Sequence, residues 1–232
     1  MAHDIELGSA DGFKFPAYEA RPAGPIKGAV VVVQEIFGVN SHIRGIVDAF
    51  AVQGYLAVAP AMFHRVKPGV ELAYSGEDVA AGVALKAAID ALPAPGAMQD
   101  LQAAVDYAAQ FGKVGVIGFC WGGSLSWRAA CQLQGVTAAI AYYGGSMTQP
   151  AEIARHPQCP VMAHFGDQDH AIPIPGVQAF QAAHPEVAVH IYAAGHGFNC
   201  NQRGSFDEAA ATLARGRSLA FFASHLQSAA AP

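Results

Sequence analysis

The sequence predicts an α/β protein: a mainly parallel sheet of about eight strands with helices on both faces. Three observations predict it. The hydrophobic period switches repeatedly between strand and helix along the chain. Gly28-Ala-Val-Val-Val-Val33 is a continuous β-branched run suited to a strand covered on both faces. The 232 residues are 53% hydrophobic and only 13% charged, against a usual charged share of about 25%, so a sizeable core is expected.

The elements follow in order. A β-ribbon is expected from Ile5 to Leu7 and Phe13 to Tyr18, around a turn at Gly8 to Gly12. The valine strand comes next. Ser41 is placed to cap a helix in which Ile43, Ile46, Val47 and Phe50 share one face, and Gly54 ends it. Tyr55 to Ala59 reads as a short buried strand, and 61–76 as a loop with room for one short helix. Helical stretches run from Glu77 to Leu92 and from Ala97 to Gln110, the second with Leu101, Val105 and Ala108 inward. Strands are expected at Lys113 to Gly118, Val136 to Tyr143, Pro160 to Gly166 and Val187 to Tyr192. Helices are expected at Trp121 to Leu133, Val177 to Ala183 and Phe206 to His225. No repeat or Ser/Gly linker interrupts the chain, so 1–232 reads as one domain.

Composition removes several functions. Thirteen basic and 18 acidic residues leave a formal charge of −5 with no basic run, so nucleic acid is not an expected partner. The N-terminal stretch lacks a basic and apolar leader, and Ala29 to Val33 is far too short to span a bilayer; no membrane partner and a cytoplasmic location are expected. Four cysteines show no CxxC spacing, and the ten histidines form no HExxH cluster, so no metal is expected.

The chemistry-bearing residues stand after strands, where ligands bind in such sheets. Gly118-Phe-Cys120-Trp-Gly122-Gly123 has the form of the nucleophile elbow G-x-S-x-G with cysteine as nucleophile, its sulfur at a helix N-terminus that favours thiolate. The competing reading is a buried cysteine beside a tight turn. Asp169, in Gly166-Asp-Gln-Asp169-His, and His196, in Gly195-His-Gly-Phe198, follow later strands. The order Cys, Asp, His is that of α/β-hydrolase triads: His196 as base, Asp169 orienting it. Asp167 competes for the acid role and is read as a turn residue; His164 and His170 are read as packing or loop residues. Cys131, Cys159 and Cys200 are assigned structural roles, with Cys200 near the site. Gln34-Glu35-Ile-Phe-Gly-Val-Asn40 occupies the loop that supplies one oxyanion-hole amide, so the backbone N–H groups of Ile36 and Trp121 are the expected pair. Glu35 is unusual there, since a carboxylate beside an anion site must be protonated, paired or mobile; the alternative is a surface glutamate.

Those four stretches together resemble the dienelactone hydrolase (carboxymethylenebutenolidase) family, from about residue 5 to residue 225. The resemblance implies an α/β-hydrolase fold without a large lid, a monomer free of cofactor, and Cys120, His196 and Asp169 as the triad. It also implies that Glu35 helps form the thiolate when substrate arrives. The reaction implied is opening of a lactone, of the dienelactone type, through an acyl-thioester to a maleylacetate-type product. One departure bears on substrate: the stretch Glu77 to Leu92, matched to a carboxylate-clamping arginine, contains no Arg. Arg203 is the remaining candidate, from a shifted position, and Tyr142 a candidate lining residue. Two alternatives stand beside lactone opening: a general carboxylesterase or thioesterase on the same triad, and a non-catalytic, redox-responsive thiol protein.

Overall fold

The computed structural model describes residues 2–227. Its strands are β1 (Ala2–Gly8), β2 (Lys14–Ala20), β3 (Ala29–Val33), β4 (Leu56–Pro60), β5 (Val114–Phe119), β6 (Val136–Tyr142), β7 (Val161–Gly166) and β8 (Ala188–Tyr192). They form one sheet in the order β1-β2-β4-β3-β5-β6-β7-β8. The β1–β2 and β2–β4 pairs are antiparallel, and every pair from β4 to β8 is parallel. The helices are α1 (Ser41–Val52), α2 (Gly76–Asp90), α3 (Ala97–Ala109), α4 (Trp121–Gln132), α5 (Pro150–Ile153), α6 (Ile174–Ala183) and α7 (Glu208–Leu226). The expected fold class is therefore the one observed. Among the described residues, no helix is long and apolar enough to cross a membrane.

Period-two geometry in β3 sends its side chains into two different cores. Val30 and Val32 pack in a cluster with Ile43, Val47 and Phe50 of α1 and Phe222 of α7. Ala29, Val31 and Val33 join Leu101, Val105 and Ala108 of α3 and Leu125 of α4. All five β3 residues are fully buried, which is why the run carries no polar alternation.

Two local expectations change. The α1 cap is Asn40, not Ser41: its extended backbone precedes the helix and its Oδ1 accepts from Ile43 N–H at 3.3 Å. Ser41 is already helical, and its hydroxyl donates to Gln202 at 3.1 Å. The 61–76 segment holds turns and bends with no separate short helix, and its last residue, Gly76, opens α2. It is tied back to the loop after β3 by Leu72 N–H donating to Phe37 O (2.8 Å) and Asn40 Nδ2 donating to Leu72 O (3.0 Å).

The parallel registers fix where the loops emerge. Val33 pairs with Gly118, Phe119 with Tyr142, Tyr142 with His164, and Gly166 with Tyr192. The loops after β3, β5, β6, β7 and β8 thus leave one edge of the sheet together.

Candidate active site

Cys120 joins β5 to α4 with φ 55° and ψ −116°, a left-handed conformation that few residues with a Cβ adopt. Its amide donates to Tyr142 O (3.0 Å), and its carbonyl accepts from the N–H groups of Gly123 (3.0 Å) and Ser124 (3.2 Å). The glycines make this bend possible. A Cβ on Gly118 would collide with the Gly122 carbonyl, and one on Gly122 with the carbonyls of Val33 and Gln34. The start of α4 is thereby seated against the end of β3, with Cys120 as its N-cap.

Three loops then bring three side chains into line. His196 Nδ1 donates to Asp169 Oδ2 at 2.6 Å, and His196 Nε2 lies 3.1 Å from Cys120 Sγ. Asp169 is 4% exposed, and its other oxygen accepts from Ala171 N–H at 2.9 Å, so both oxygens are engaged. Asp167 is exposed, and its amide donates to Tyr192 O (2.8 Å), as a turn residue would. Burial alone would lower the His196 pKa; the Asp169 hydrogen bond and the neighbouring Cys120 outweigh it and push the imidazole up to about 10.

Glu35 is not a surface residue. It is 1% exposed, and Arg203 Nη1 donates to its Oε1 at 3.1 Å. Burial raises the Glu35 carboxyl, opposed by Arg203 and His196. Arg203 reaches it because Gly197 follows the histidine: at φ +79° a Cβ there would stand 2.5 Å from Arg203 Nη1. The guanidinium also lies near the Phe37 and Tyr74 rings, 5.6 and 5.8 Å from their centroids. Ile36 and Trp121 each stand three residues beyond the paired residues Val33 and Gly118, so the two expected amides flank the same strand ends. The α2 helix lies over this loop, with Gly82 against the Ile36 carbonyl.

Tyr142 requires a correction. Its side chain is 2% exposed, hydrogen-bonds Ser218 at 2.8 Å, and lines a cavity of about 440 Å³ between α1 and α7 that Cys120, Asp169 and His196 do not touch. Alternation sends the next residue the other way, and Tyr143 is the tyrosine against His196, with ring centroids 5.1 Å apart. Tyr143 sits at φ 38° with its hydroxyl buried and unpartnered, a strained residue that the sequence did not single out. The sequence also missed His42 beside Glu35: one ligand-type atom each of Glu35, His42 and Cys200 lies within 4.8 Å of the others. Cys131 and Cys159 are partly buried away from this set, and His164 is a fully buried strand residue bonded to Tyr192 and Ser218.

Chemically, an imidazole aligned between a carboxylate and a thiol, at a strand-to-helix bend, is an arrangement for nucleophilic acyl transfer. Comparison with known proteins agrees in class. The sequence profile of the "Dienelactone hydrolase family" matches residues 15–226. A protein of Escherichia coli (strain K12) named "Putative carboxymethylenebutenolidase" is 34% identical over 233 residues, covering 92% of this chain and 83% of the relative. The carboxymethylenebutenolidase of Pseudomonas putida is 33% identical over 231 residues, covering 96% of this chain and 97% of the relative. A solved structure titled as a "Putative Dienelactone Hydrolase" from Klebsiella pneumoniae subsp. pneumoniae MGH 78578 is 30% identical. It superposes with a TM-score of 0.78, covering 97% of this chain and 100% of that one. With fold, motif order and near full-length similarity in agreement, the chain belongs to the dienelactone hydrolase family and is a hydrolase of ester bonds, lactones included.

Proposed function

We propose that the protein opens lactones of the dienelactone type through an acyl-thioester on Cys120, with His196 as general base and acid and Asp169 orienting it. The observation that carries this reading is the continuous chain Asp169–His196–Cys120, with contacts of 2.6 and 3.1 Å. In acylation the proton shared between Cys120 Sγ and His196 Nε2 rests on the imidazole, as its raised pKa favours, and the thiolate attacks the lactone carbonyl. The backbone N–H groups of Ile36 and Trp121 hold the oxyanion, each worth about 3–4 kcal/mol in comparable sites. The ring C–O bond breaks, and the leaving oxygen, still tethered to the acyl group, takes the proton from His196. Water, deprotonated by the same imidazole, then attacks the thioester, and the acid product leaves with Cys120 reprotonated. Asp169 holds one tautomer and stabilises the imidazolium in both halves.

Glu35 assists thiolate formation in this reading, supported by its burial and by the influence of the His196 charge on its carboxyl. Arg203 holds that carboxylate in the resting site and is the cation available to an acidic substrate.

A second reading, hydrolysis of small neutral esters by the same residues, is favoured by one observation. The α2 helix offers no arginine to clamp a carboxylate, and Arg203 is engaged by Glu35. Turnover of a dienelactone and of a short aryl ester, measured side by side with wild type and Cys120→Ala, separates the readings. Lactone opening predicts the larger kcat/KM on the dienelactone and none in the variant. A larger value on the aryl ester favours the second reading, and full activity in Cys120→Ala rejects both.

A further inference from the structure

Glu35 has neighbours that ester hydrolysis does not use. A carboxylate oxygen of Glu35, a ring nitrogen of His42 and the sulfur of Cys200 all lie within 4.8 Å of one another, and all three residues are buried. Glu35 Oε2 and His42 Nε2 are both buried with no hydrogen-bond partner. Unpaired polar atoms are costly in an interior, and two beside one thiol make a converging set of lone pairs.

We propose that Glu35, His42 and Cys200 form a binding site for a thiophilic divalent cation, Zn²⁺ by the chemistry of the donors, and that filling it inhibits hydrolysis by immobilising Glu35. One oxygen, one nitrogen and one sulfur donor suit a borderline-soft tetrahedral ion. Around Zn²⁺ such atoms stand roughly 3.3–3.6 Å apart, so the set closes by about 1 Å on binding. Binding exchanges an S–H bond for a metal–sulfur bond and releases that proton to solvent. The thiolate so formed has a donor beside it. Asn40 Nδ2 donates to the Tyr74 oxygen at 3.1 Å, leaving the Tyr74 hydroxyl proton for the Cys200 sulfur. Arg203 stays on the other carboxylate oxygen, Oε1, while the carboxylate and thiolate charges offset the dication.

The binding half is independent of the role given to Cys120; the inhibition half rests on that reading and on Glu35. Binding is therefore tested in the Cys120→Ala chain, titrated with Co²⁺. One ion per chain is expected, with a near-ultraviolet sulfur-to-cobalt band, release of about one proton per ion, and displacement by Zn²⁺. Adding Cys200→Ser should abolish the band, and adding His42→Gln should weaken binding at least about tenfold. Absence of saturable binding in Cys120→Ala overturns the site, as does a wild-type band that survives Cys200→Ser, which puts the ion on Cys120 and His196. In chains that retain Cys120, Zn²⁺ should inhibit ester hydrolysis and Cys200→Ser should weaken that inhibition at least about tenfold. Inhibition unchanged by Cys200→Ser overturns the coupling to Glu35.

Discussion

Two buried carboxylate–guanidinium pairs in this molecule share their chemistry and differ in how completely they are satisfied. Asp100 of α3 accepts two bonds from Arg65, Nε to Oδ2 at 2.7 Å and Nη2 to Oδ1 at 2.8 Å, and a third from the Ser9 hydroxyl. Arg65 also reaches Asp11 twice, at 2.8 and 3.0 Å, and lies 4.2 Å from the Phe13 ring centroid. That cluster ties the β1–β2 ribbon to α3 and leaves neither Asp100 oxygen without a partner. Glu35 accepts one bond from Arg203, and its second oxygen has no partner. A fully partnered pair is fixed, whereas the unpartnered oxygen of Glu35 is open to a proton or to a new partner. The first serves architecture, and the second lies where the proposed reaction moves charge.

The widest separation between the regions should come from the reacting residues. Cys120→Ala and His196→Ala should each lower kcat/KM at least about 10⁴-fold, and Cys120→Ala should leave the urea midpoint nearly unchanged. Arg65→Met should do the reverse. It strands the buried Asp100 carboxylate and should cost about 3–5 kcal/mol of unfolding free energy, with kcat/KM intact in the folded fraction. Equal stability losses on cutting the two ionic pairs would erase the distinction drawn above. Glu35→Gln sharpens it: single-turnover acylation should slow by about 10²-fold, with stability within about 1 kcal/mol, because the amide still accepts from Arg203. An unchanged acylation rate would return Glu35 to a packing role.

The smallest effect is a pH slope. The folded His196 pKa of about 10 lies above its ordinary value of 6.5. Its contribution to stability is therefore complete below about 6.5 and is lost progressively as pH rises to about 10. Asp169→Asn removes the largest upward influence on His196 and should flatten that part of the stability profile. A slope between pH 7 and 10 identical in wild type and Asp169→Asn would contradict the pairing.

What could be read in advance follows from the range of the signal. Local patterns carried the sheet: the valine run of β3, the inward stripe of α3, and the glycines that force the bend at Cys120 are contiguous in the chain. The order of Cys120, Asp169 and His196 was legible because each follows its own strand, and parallel strands deliver their ends to one edge. The partner of Glu35 was not legible in the same way. Arg203 lies 168 residues away along the chain, and its reach depends on the conformation at Gly197. Tyr142 was named in place of Tyr143 because neighbouring strand residues take opposite faces, and a one-residue difference reverses which of them meets His196. The cap at Asn40 was missed because asparagine and serine are both good N-caps and stand side by side.

The most direct test of Cys120 as the acylated nucleophile is the intact mass of the protein within seconds of mixing with a slowly hydrolysed lactone. A transient gain equal to the whole lactone is expected, since ring opening expels no fragment, localised to the peptide carrying Cys120 and absent in Cys120→Ser. Turnover of the same lactone with no adduct on Cys120, or with an adduct on another residue, would contradict it.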